Sequence, residues 1–214
     1  MRIGIFGAGA MADALGTRWA AAGHELMITG RTAGKARALA DKWGAHTGGF
    51  EEVAEFAEVA LIAVLYQGMT STLAQIGDAV RGKVIVDCNN PVEVEHFTLV
   101  TTPGRSMAQE IEQVTGGHVV KAFNLCHARV WQMESPVFDG RRLVVPYCGD
   151  DPAALGTTRR LIADIGCEPL RVGDLRHAHH LEAMAAIMIS LLFGGCEPHT
   201  VFNLVDRAAA APNG

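Results

Sequence analysis

Small residues at fixed spacings near the start of the chain could hold a phosphate group. Gly7, Gly9 and Ala12 directly follow a short apolar strand, Arg2–Phe6, and they open a predicted helix. Together they form the GxGxx(G/A) pattern in the strand–turn–helix context that dinucleotide binding requires. Gly7 permits the tight turn, Gly9 leaves room for a pyrophosphate to approach the backbone, and Ala12 lets the helix pack closely on the strand. The N–H groups and positive dipole end of the helix would then bind the phosphates.

The residues at the end of the second predicted strand, 24–29, indicate which dinucleotide is bound. Proteins that prefer NAD usually carry Asp or Glu about 20 residues past the glycines, where the carboxylate accepts a hydrogen bond from the ribose 2′-OH. This chain instead has small, polar and basic residues there, namely Thr29, Gly30, Arg31 and Thr32, with Lys35 one turn further on. A guanidinium binds phosphate in a bidentate fork and is always charged. We therefore predict a 2′-phosphate pocket and NADP(H) as the cofactor; the alternative is that Arg31 is a solvent-exposed loop charge.

The composition argues against several classes of protein. The chain has 214 residues, of which 49% are hydrophobic, which is enough for one α/β domain with a small appendage. A net charge of −5 argues against nucleic-acid binding. The longest apolar run, residues 183–193, is shorter than the roughly 20 residues that span a membrane, and the first residues lack a signal-peptide pattern. Five scattered cysteines without a C-x-x-C pair predict free thiols and a cytoplasmic location.

Apolar strands alternate with helical segments along most of the chain, which predicts a parallel sheet with right-handed crossovers. The fold class we predict is α/β, a Rossmann doubly wound parallel sheet with a small C-terminal α/β lobe. Residues 1–145 would form the NADP-binding Rossmann domain, and residues 146–214 the small lobe that covers the substrate cleft. Segments 92–104 and 123–140 show no clear pattern, and a last short helix is predicted over residues 199–208.

Several segments match one known family, and they are spread over nearly the whole chain. They are residues 7–11, 30–31 with Lys35, 86–91, 119–124, 148–151, 161–166, 173–175 and 181–182. In these segments the chain resembles the coenzyme F420-dependent NADP oxidoreductases, and the related metalloreductase domains of the STEAP type share much of the pattern. The resemblance implies a Rossmann domain with NADP(H) lying over the ends of the parallel strands. It also implies a flat redox partner, such as coenzyme F420 as co-substrate, stacked on the nicotinamide in a cleft walled by the C-terminal apolar helix.

The resemblance also implies which residues contact the cofactor. By position, the NADP contacts of the family map onto Ala8, Gly9, Ala10, Met11, Gly30, Arg31 and Lys35. Ala63 and Val64 end the fourth strand and are expected to face the cofactor. Asn89 and Pro91 lie in the loop that brackets the nicotinamide ribose, and Asn124 is expected near the nicotinamide ring.

Two loops that flank the expected substrate cleft depart from the family pattern. Residues 65–68 lack the usual proline-containing turn, and residues 125–128 read Leu-Cys-His-Ala where archaeal members often have small residues and a proline. These departures concern the redox partner rather than the cofactor. Hydride transfer to a deazaflavin requires no protein acid or base, so we assign no catalytic residue for it. An imine or carbonyl acceptor requires a proton donor, for which His127 and Tyr66 are the candidates.

Two classes of function remain open. The first is an enzyme, an NADP-dependent oxidoreductase that transfers hydride between NADPH and a small-molecule partner, either F420 or an imine, carbonyl or quinone-like molecule. The second is a non-catalytic NADP(H) sensor, because the fold alone does not separate the two. Met184, Met188 and Leu192 have helical spacing and are expected in the core, in a homodimer interface or in the cleft wall. The histidines within 177–180 do not form a closed set of ligands, so we expect no metal site there.

Overall fold

The structure is a computed structural model, and it describes residues 1–93 and 95–195. These residues form a mostly parallel sheet flanked by helices, so the predicted Rossmann-type α/β fold is confirmed. In this part of the chain, no helix has both the length and the apolar character needed to cross a membrane. The predicted helix over 199–208 and the fifth cysteine, Cys196, lie outside the described residues.

Strands and helices follow the apolar patterns of the sequence. The strands are β1 Arg2–Phe6, β2 Glu25–Thr29, β3 His46–Thr47, β4 Val59–Ile62, β5 Val84–Asp87, β6 Val92–Glu93, β7 Thr98–Leu99, β8 His118–Lys121, β9 Val137–Phe138, β10 Arg141–Arg142, β11 Val144–Gly149 and β12 Glu168–Gly173. The helices are α1 Ala10–Ala21, α2 Ala33–Trp43, α3 Phe50–Phe56, α4 Met69–Ile76, α5 Met107–Thr115, α6 Ala128–Trp131, α7 Pro152–Asp164 and α8 Ala178–Phe193. Helices α2, α3 and α4 begin and end where the sequence predicts.

The large sheet has the strand order β12-β11-β8-β5-β4-β1-β2-β3 in the described residues. All neighbours from β8 to β3 are parallel. The chain order reverses between β1 and β4, as in a doubly wound sheet. Ligands of such sheets bind in the crevice outside the carboxyl ends of the strands at this reversal point. A ligand site is therefore expected at the loops that follow β1, β2, β4 and β5.

Strands β11 and β12 differ from the all-parallel sheet that the alternating pattern predicts. Strand β11 runs antiparallel to β8, with Cys148 opposite Lys121, and β12 runs parallel to β11. The chain leaves β8 and enters β11 at the same end of the sheet, so this connection needs no crossover helix. Both strands extend the same sheet. The division into domains at residue 145 stays a prediction.

The two segments without a clear sequence pattern contain short hairpins. Strands β6 and β7 pair antiparallel within 92–104. Strand β9 follows the short helix α6 within 123–140 and pairs antiparallel with β10, which comes directly after that segment. The turn between β9 and β10 is Asp139–Gly140, and both residues have positive φ, 50° and 74°. A two-residue Asp-Gly turn of this kind matches the twist of a hairpin. The sequence therefore contained the hairpin signal, although the flanking strands are too short to show alternation.

Burial explains why the central strands carry no alternation. Every residue of β4 is buried, because helices cover both faces of the sheet. On one face, Trp19 of α1 is fully buried, packs edge-on against Phe123, and donates its indole N–H to the Leu161 carbonyl at 3.1 Å. The polar atom of this large side chain is thus satisfied within the core. The packing fixes α1, whose first turn forms part of the site.

Candidate functional site

The glycine turn between β1 and α1 has the geometry that the sequence pattern predicts. Gly7 has φ of +115°, a region that other residues rarely adopt, and its N–H donates to the Thr29 carbonyl at 2.9 Å. This bond ties the turn to the end of β2. A Cβ atom built on Gly9 would meet no atom within 4 Å, so the space beside its α-carbon is open. The turn thus leaves an open cradle at the N-terminus of α1, which fits a phosphate group.

A cavity of about 200 Å³ lies on the β2 side of this turn. Its lining includes most of the predicted residues on that side, namely Ala8, Gly9, Gly30, Arg31, Thr32, Lys35, Ala63 and Val64. Phe50, Leu65, Gly68 and Thr72 complete the wall with Gly7. Arg31 and Lys35 are both exposed, and no carboxylate lines the cavity in the described residues. An anionic group is therefore favoured here.

A second cavity, of about 530 Å³, opens on the other side of the turn over β4 and β5. The predicted residues in its lining are Gly9, Ala10, Met11, Ala63, Val64 and Asn89. Further lining comes from Leu65, Tyr66, Gln67, Cys88, Asn90, Val92 and Ile189. The two cavities share Gly9, Ala63, Val64 and Leu65, so they form one groove across the strand ends. Among the described lining residues of the second cavity, none carries a charge.

Three predicted residues do not line either cavity. Thr29 is buried at the end of β2 and takes part through its backbone carbonyl. Pro91 is buried, and its carbonyl accepts a hydrogen bond from the Val100 N–H. Asn124 lies behind the wall of the second cavity. Its Nδ2 donates a hydrogen bond at 3.0 Å to Oδ1 of Asn90, which lines that cavity. The contact of these three with a cofactor stays a prediction.

The C-terminal helix α8 reaches the cleft through a different face from the predicted one. Ile189 lines the second cavity, whereas Met184 and Leu192 are about half exposed and Met188 is partly buried. Met184 lies roughly 200° around the helix from the buried Glu182, because each residue advances about 100°. Ile189 is seven residues from Glu182 and therefore shares its face. The expectation that Met184, Met188 and Leu192 form the cleft wall is therefore not met.

The two candidate proton donors are placed very differently. Tyr66 lines the second cavity and is partly buried. His127 is exposed at the start of α6, where its Nδ1 accepts a hydrogen bond from the Arg129 N–H at 3.2 Å, and it lines neither cavity. Cys88 also borders the second cavity, but burial raises the pKa of its thiol to about 12, so it is protonated at neutral pH. Tyr66 is therefore the better-placed proton donor.

A buried ion cluster lies directly behind Asn89. The Lys121 ammonium donates to Asp87 Oδ2 and to Glu182 Oε1, both at 2.8 Å, and to the Asn89 carbonyl. Asp87, Lys121 and Glu182 are each 0% exposed. Asp87 Oδ1 accepts from both the backbone N–H and the side-chain amide of Asn89, at 2.9 and 2.7 Å. All three N–H donors of the ammonium are paired. Three hydrogen bonds within the cluster hold Asn89 in place.

The charges of this cluster follow from its contacts. Burial acts to lower the pKa of Lys121, but the carboxylates of Asp87 and Glu182 outweigh it and raise that pKa. Burial raises the pKa of Glu182, and the Asp87 carboxylate adds to this rise, which the Lys121 ammonium and the Met107 N–H oppose only in part. The second oxygen of Glu182 accepts from the Met107 N–H, at the start of α5, at 3.0 Å. Both oxygens of the Glu182 carboxylate therefore accept hydrogen bonds.

Sequence patterns alone assign this cluster no role, although a signal for it is present. Asp87 and Lys121 end two apolar strands, β5 and β8, that pair in register, and Glu182 interrupts an apolar helix. Charged residues at such positions are almost never fully buried unless they are paired. The pairing itself was not predictable, because it joins residues that lie 34 and 61 positions apart.

His177, which directly precedes α8, and the histidines in the first turn of α8 do not form a group of metal ligands in the described residues. The rings of His177 and His180 lie 5.7 Å apart between centroids, and His177 Nδ1 bonds to Asp174 at 3.0 Å instead. Elsewhere in the described residues, Glu93, Glu95 and His96 bring three potential ligand atoms within 4.8 Å of one another, at a partly exposed position. The expectation of no metal stays a prediction.

The fold and the groove define a Rossmann-type protein, and the comparisons with known proteins report what it is similar to. Residues 2–91 match the family described as NADP oxidoreductase coenzyme F420-dependent. The F420-dependent NADP reductase of Methanothermobacter marburgensis is 28% identical over 213 residues, which cover 89% of this chain and 92% of that protein. The predicted resemblance to the coenzyme F420-dependent NADP oxidoreductases is confirmed at the level of similarity.

Two further relatives show how far the similarity extends. Rat metalloreductase STEAP3 is 29% identical over 183 residues, which cover 86% of this chain but 36% of STEAP3, so the chain spans about a third of that relative. A solved structure of a candidate F420-dependent NADP reductase from Arthrobacter sp. FB24 superimposes with a TM-score of 0.80 at 24% identity, over 91% of this chain and 95% of the other. At this identity the structural match supports the fold alone.

Proposed function

We propose that the chain is an NADP(H)-dependent reductase that transfers hydride to a small-molecule redox partner. The observation that carries the proposal is the continuous groove, with the open Gly9 cradle at its centre, Arg31 at one end and Asn89 at the other. Arg31, Thr32 and Lys35 would bind the 2′-phosphate, and the N-terminus of α1 would bind the pyrophosphate. The nicotinamide, which supplies the hydride when bound, would then lie in the second cavity.

The second cavity favours a flat, largely apolar partner. Met11, Val64 and Ile189 supply apolar walls, and the described lining carries no charged side chain. An apolar wall that excludes water supports the close, parallel approach that direct hydride transfer needs. A deazaflavin such as coenzyme F420 fits this description and is the redox partner of the family. We propose it as the first partner to be tested.

The second candidate function is reduction of an imine, carbonyl or quinone-like molecule. The observation that favours it is the position of Tyr66 in the cavity wall, because such acceptors take up a proton together with the hydride. The phenol of Tyr66 would donate that proton to the nitrogen or oxygen of the acceptor. Tyr66 stands in the loop 65–68, which departs from the family pattern.

Stopped-flow absorbance with NADPH and oxidised F420 separates the candidates. We expect direct reduction of F420, and we expect Tyr66→Phe to retain the rate within about threefold, since no proton donor is required. Turnover of imines or quinones without any reduction of F420, and with a loss of at least about 100-fold in Tyr66→Phe, would support the second candidate. Tight NADPH binding without turnover of any acceptor would instead indicate a sensor.

The assembly, location and domain division of the protein belong to the same proposal. Met184, Ile187, Leu192 and Phe193 of α8 are between 45% and 74% exposed, which supports a homodimer formed through this helix. Residues 146–214 would form the lobe beside the cleft, with α8 as its wall. A cytoplasmic location agrees with the free thiols of Cys88 and Cys167. Light scattering at several concentrations would measure the oligomeric state.

A further inference from the structure

With both carboxylates ionised, the buried cluster behind the second cavity carries a net charge of −1. Asp87 and Glu182 contribute two negative charges and Lys121 one positive charge, and all three side chains are fully buried. The Met107 N–H at the start of α5 donates to the Glu182 carboxylate and adds no formal charge. Water therefore does not screen this charge, and its field extends further than that of a surface carboxylate.

The cluster is one residue away from the groove. Asn89 bonds to Asp87 and Lys121 through its backbone and its side chain, and the same residue lines the second cavity. Cys88, which lies between Asp87 and Asn89, also borders this cavity and is neutral. A ring held above Asn89 would thus lie over a net negative charge with no charged group in between among the described residues.

We propose that this buried negative charge makes a nicotinamide in the second cavity a stronger hydride donor and favours bound NADP⁺ over bound NADPH. The inference rests on the proposed function. The reduced ring is neutral and the oxidised ring carries one positive charge, because a hydride, with its two electrons, has passed to the partner. A negative charge beneath the ring stabilises the oxidised form and leaves the reduced form nearly unaffected.

The test compares the affinities of the two redox states. NADP⁺ and NADPH differ only at the ring, so the ratio of their dissociation constants isolates the surroundings of the ring. Glu182→Gln removes the net charge with little change of shape, whereas Glu182→Asp keeps the charge and changes the shape. A unit charge about 10 Å away, at an effective dielectric constant of about 20, changes such an equilibrium roughly tenfold.

Calorimetric titration of both nucleotides should give three results. The intact chain should bind NADP⁺ at least as tightly as NADPH. Glu182→Gln should raise the ratio of the NADP⁺ to the NADPH dissociation constant about tenfold, whereas Glu182→Asp should leave it within about threefold, even if both affinities fall. Thermal melting of each variant would establish that it is folded.

Several outcomes would overturn the inference. Equal weakening of both nucleotides in Glu182→Gln would assign the cluster a structural role only. Should neither variant fold, the two affinities of the intact chain decide the question, because tighter binding of NADPH than of NADP⁺ contradicts the proposal. If the intact chain binds neither nucleotide, the proposed function is overturned and the inference with it. If it binds both, but Glu182→Gln leaves the ratio of their dissociation constants unchanged, the inference alone is overturned.

Discussion

Gly9→Val is expected to abolish nucleotide binding while the protein still folds. The α-carbon of Gly9 faces open space shared by both cavities, and a branched side chain would fill the cradle where a pyrophosphate must lie. Gly9 has φ of −98°, which valine adopts readily, so the backbone is not strained. We expect affinity for NADPH to fall by at least about 100-fold, with a nearly unchanged melting temperature, as measured by calorimetry and thermal unfolding.

The matched control for this variant is Gly34→Val. A Cβ atom added to Gly34 would likewise meet no atom within 4 Å, but this glycine lies in α2 and lines neither cavity. This variant should bind NADPH normally. Retained affinity in a folded Gly9→Val protein would show that the pyrophosphate does not lie at this turn.

Arg31→Ala is expected to weaken NADPH strongly and NADH little. Arg31 lines the first cavity, where the described residues provide no carboxylate to bind the free 2′-hydroxyl of NADH. A hydrogen bond to a charged group contributes about 1.5–3 kcal/mol, and the exposure of Arg31 favours the lower part of this range. We therefore expect a loss of about tenfold or somewhat more for NADPH, measured by calorimetry at constant ionic strength.

Arg37→Ala provides the control for charge. Arg37 is exposed on α2 and lines neither cavity, so the variant changes the net charge equally without removing a contact. Its affinity for NADPH should stay within about twofold of the unaltered protein. Equal losses in both variants would indicate a general electrostatic attraction instead of a 2′-phosphate contact.

Local patterns predicted much of the fold and one half of the groove. The tight turn at Gly7 and the position of Arg31 depend on residues close in sequence, and the structure brings them together at the end of β2. The antiparallel entry of β11 was not predictable from alternation. It depends on how the chain returns after β8, through a short helix and a hairpin that leave little periodic signal.

The other half of the groove depends on contacts between distant parts of the chain. The rotation of α8 decides whether Ile189 or Met184 faces the cleft, and the burial of Glu182 against Lys121 accompanies the observed rotation. Residues of α8 are apolar on most sides of the helix, so the hydrophobic pattern alone does not predict which side faces the cleft. A single buried glutamate was the more informative residue, because an ionised side chain in a core must meet its partner.

A crystal structure of the chain with bound NADPH would test the central claim most directly. We expect the 2′-phosphate within hydrogen-bonding distance of Arg31, the pyrophosphate over Gly9 and Ala10, and the nicotinamide above Asn89 in the second cavity. A nucleotide bound outside this groove, or lying in it with its 2′-phosphate away from Arg31, would contradict the proposed function of the groove.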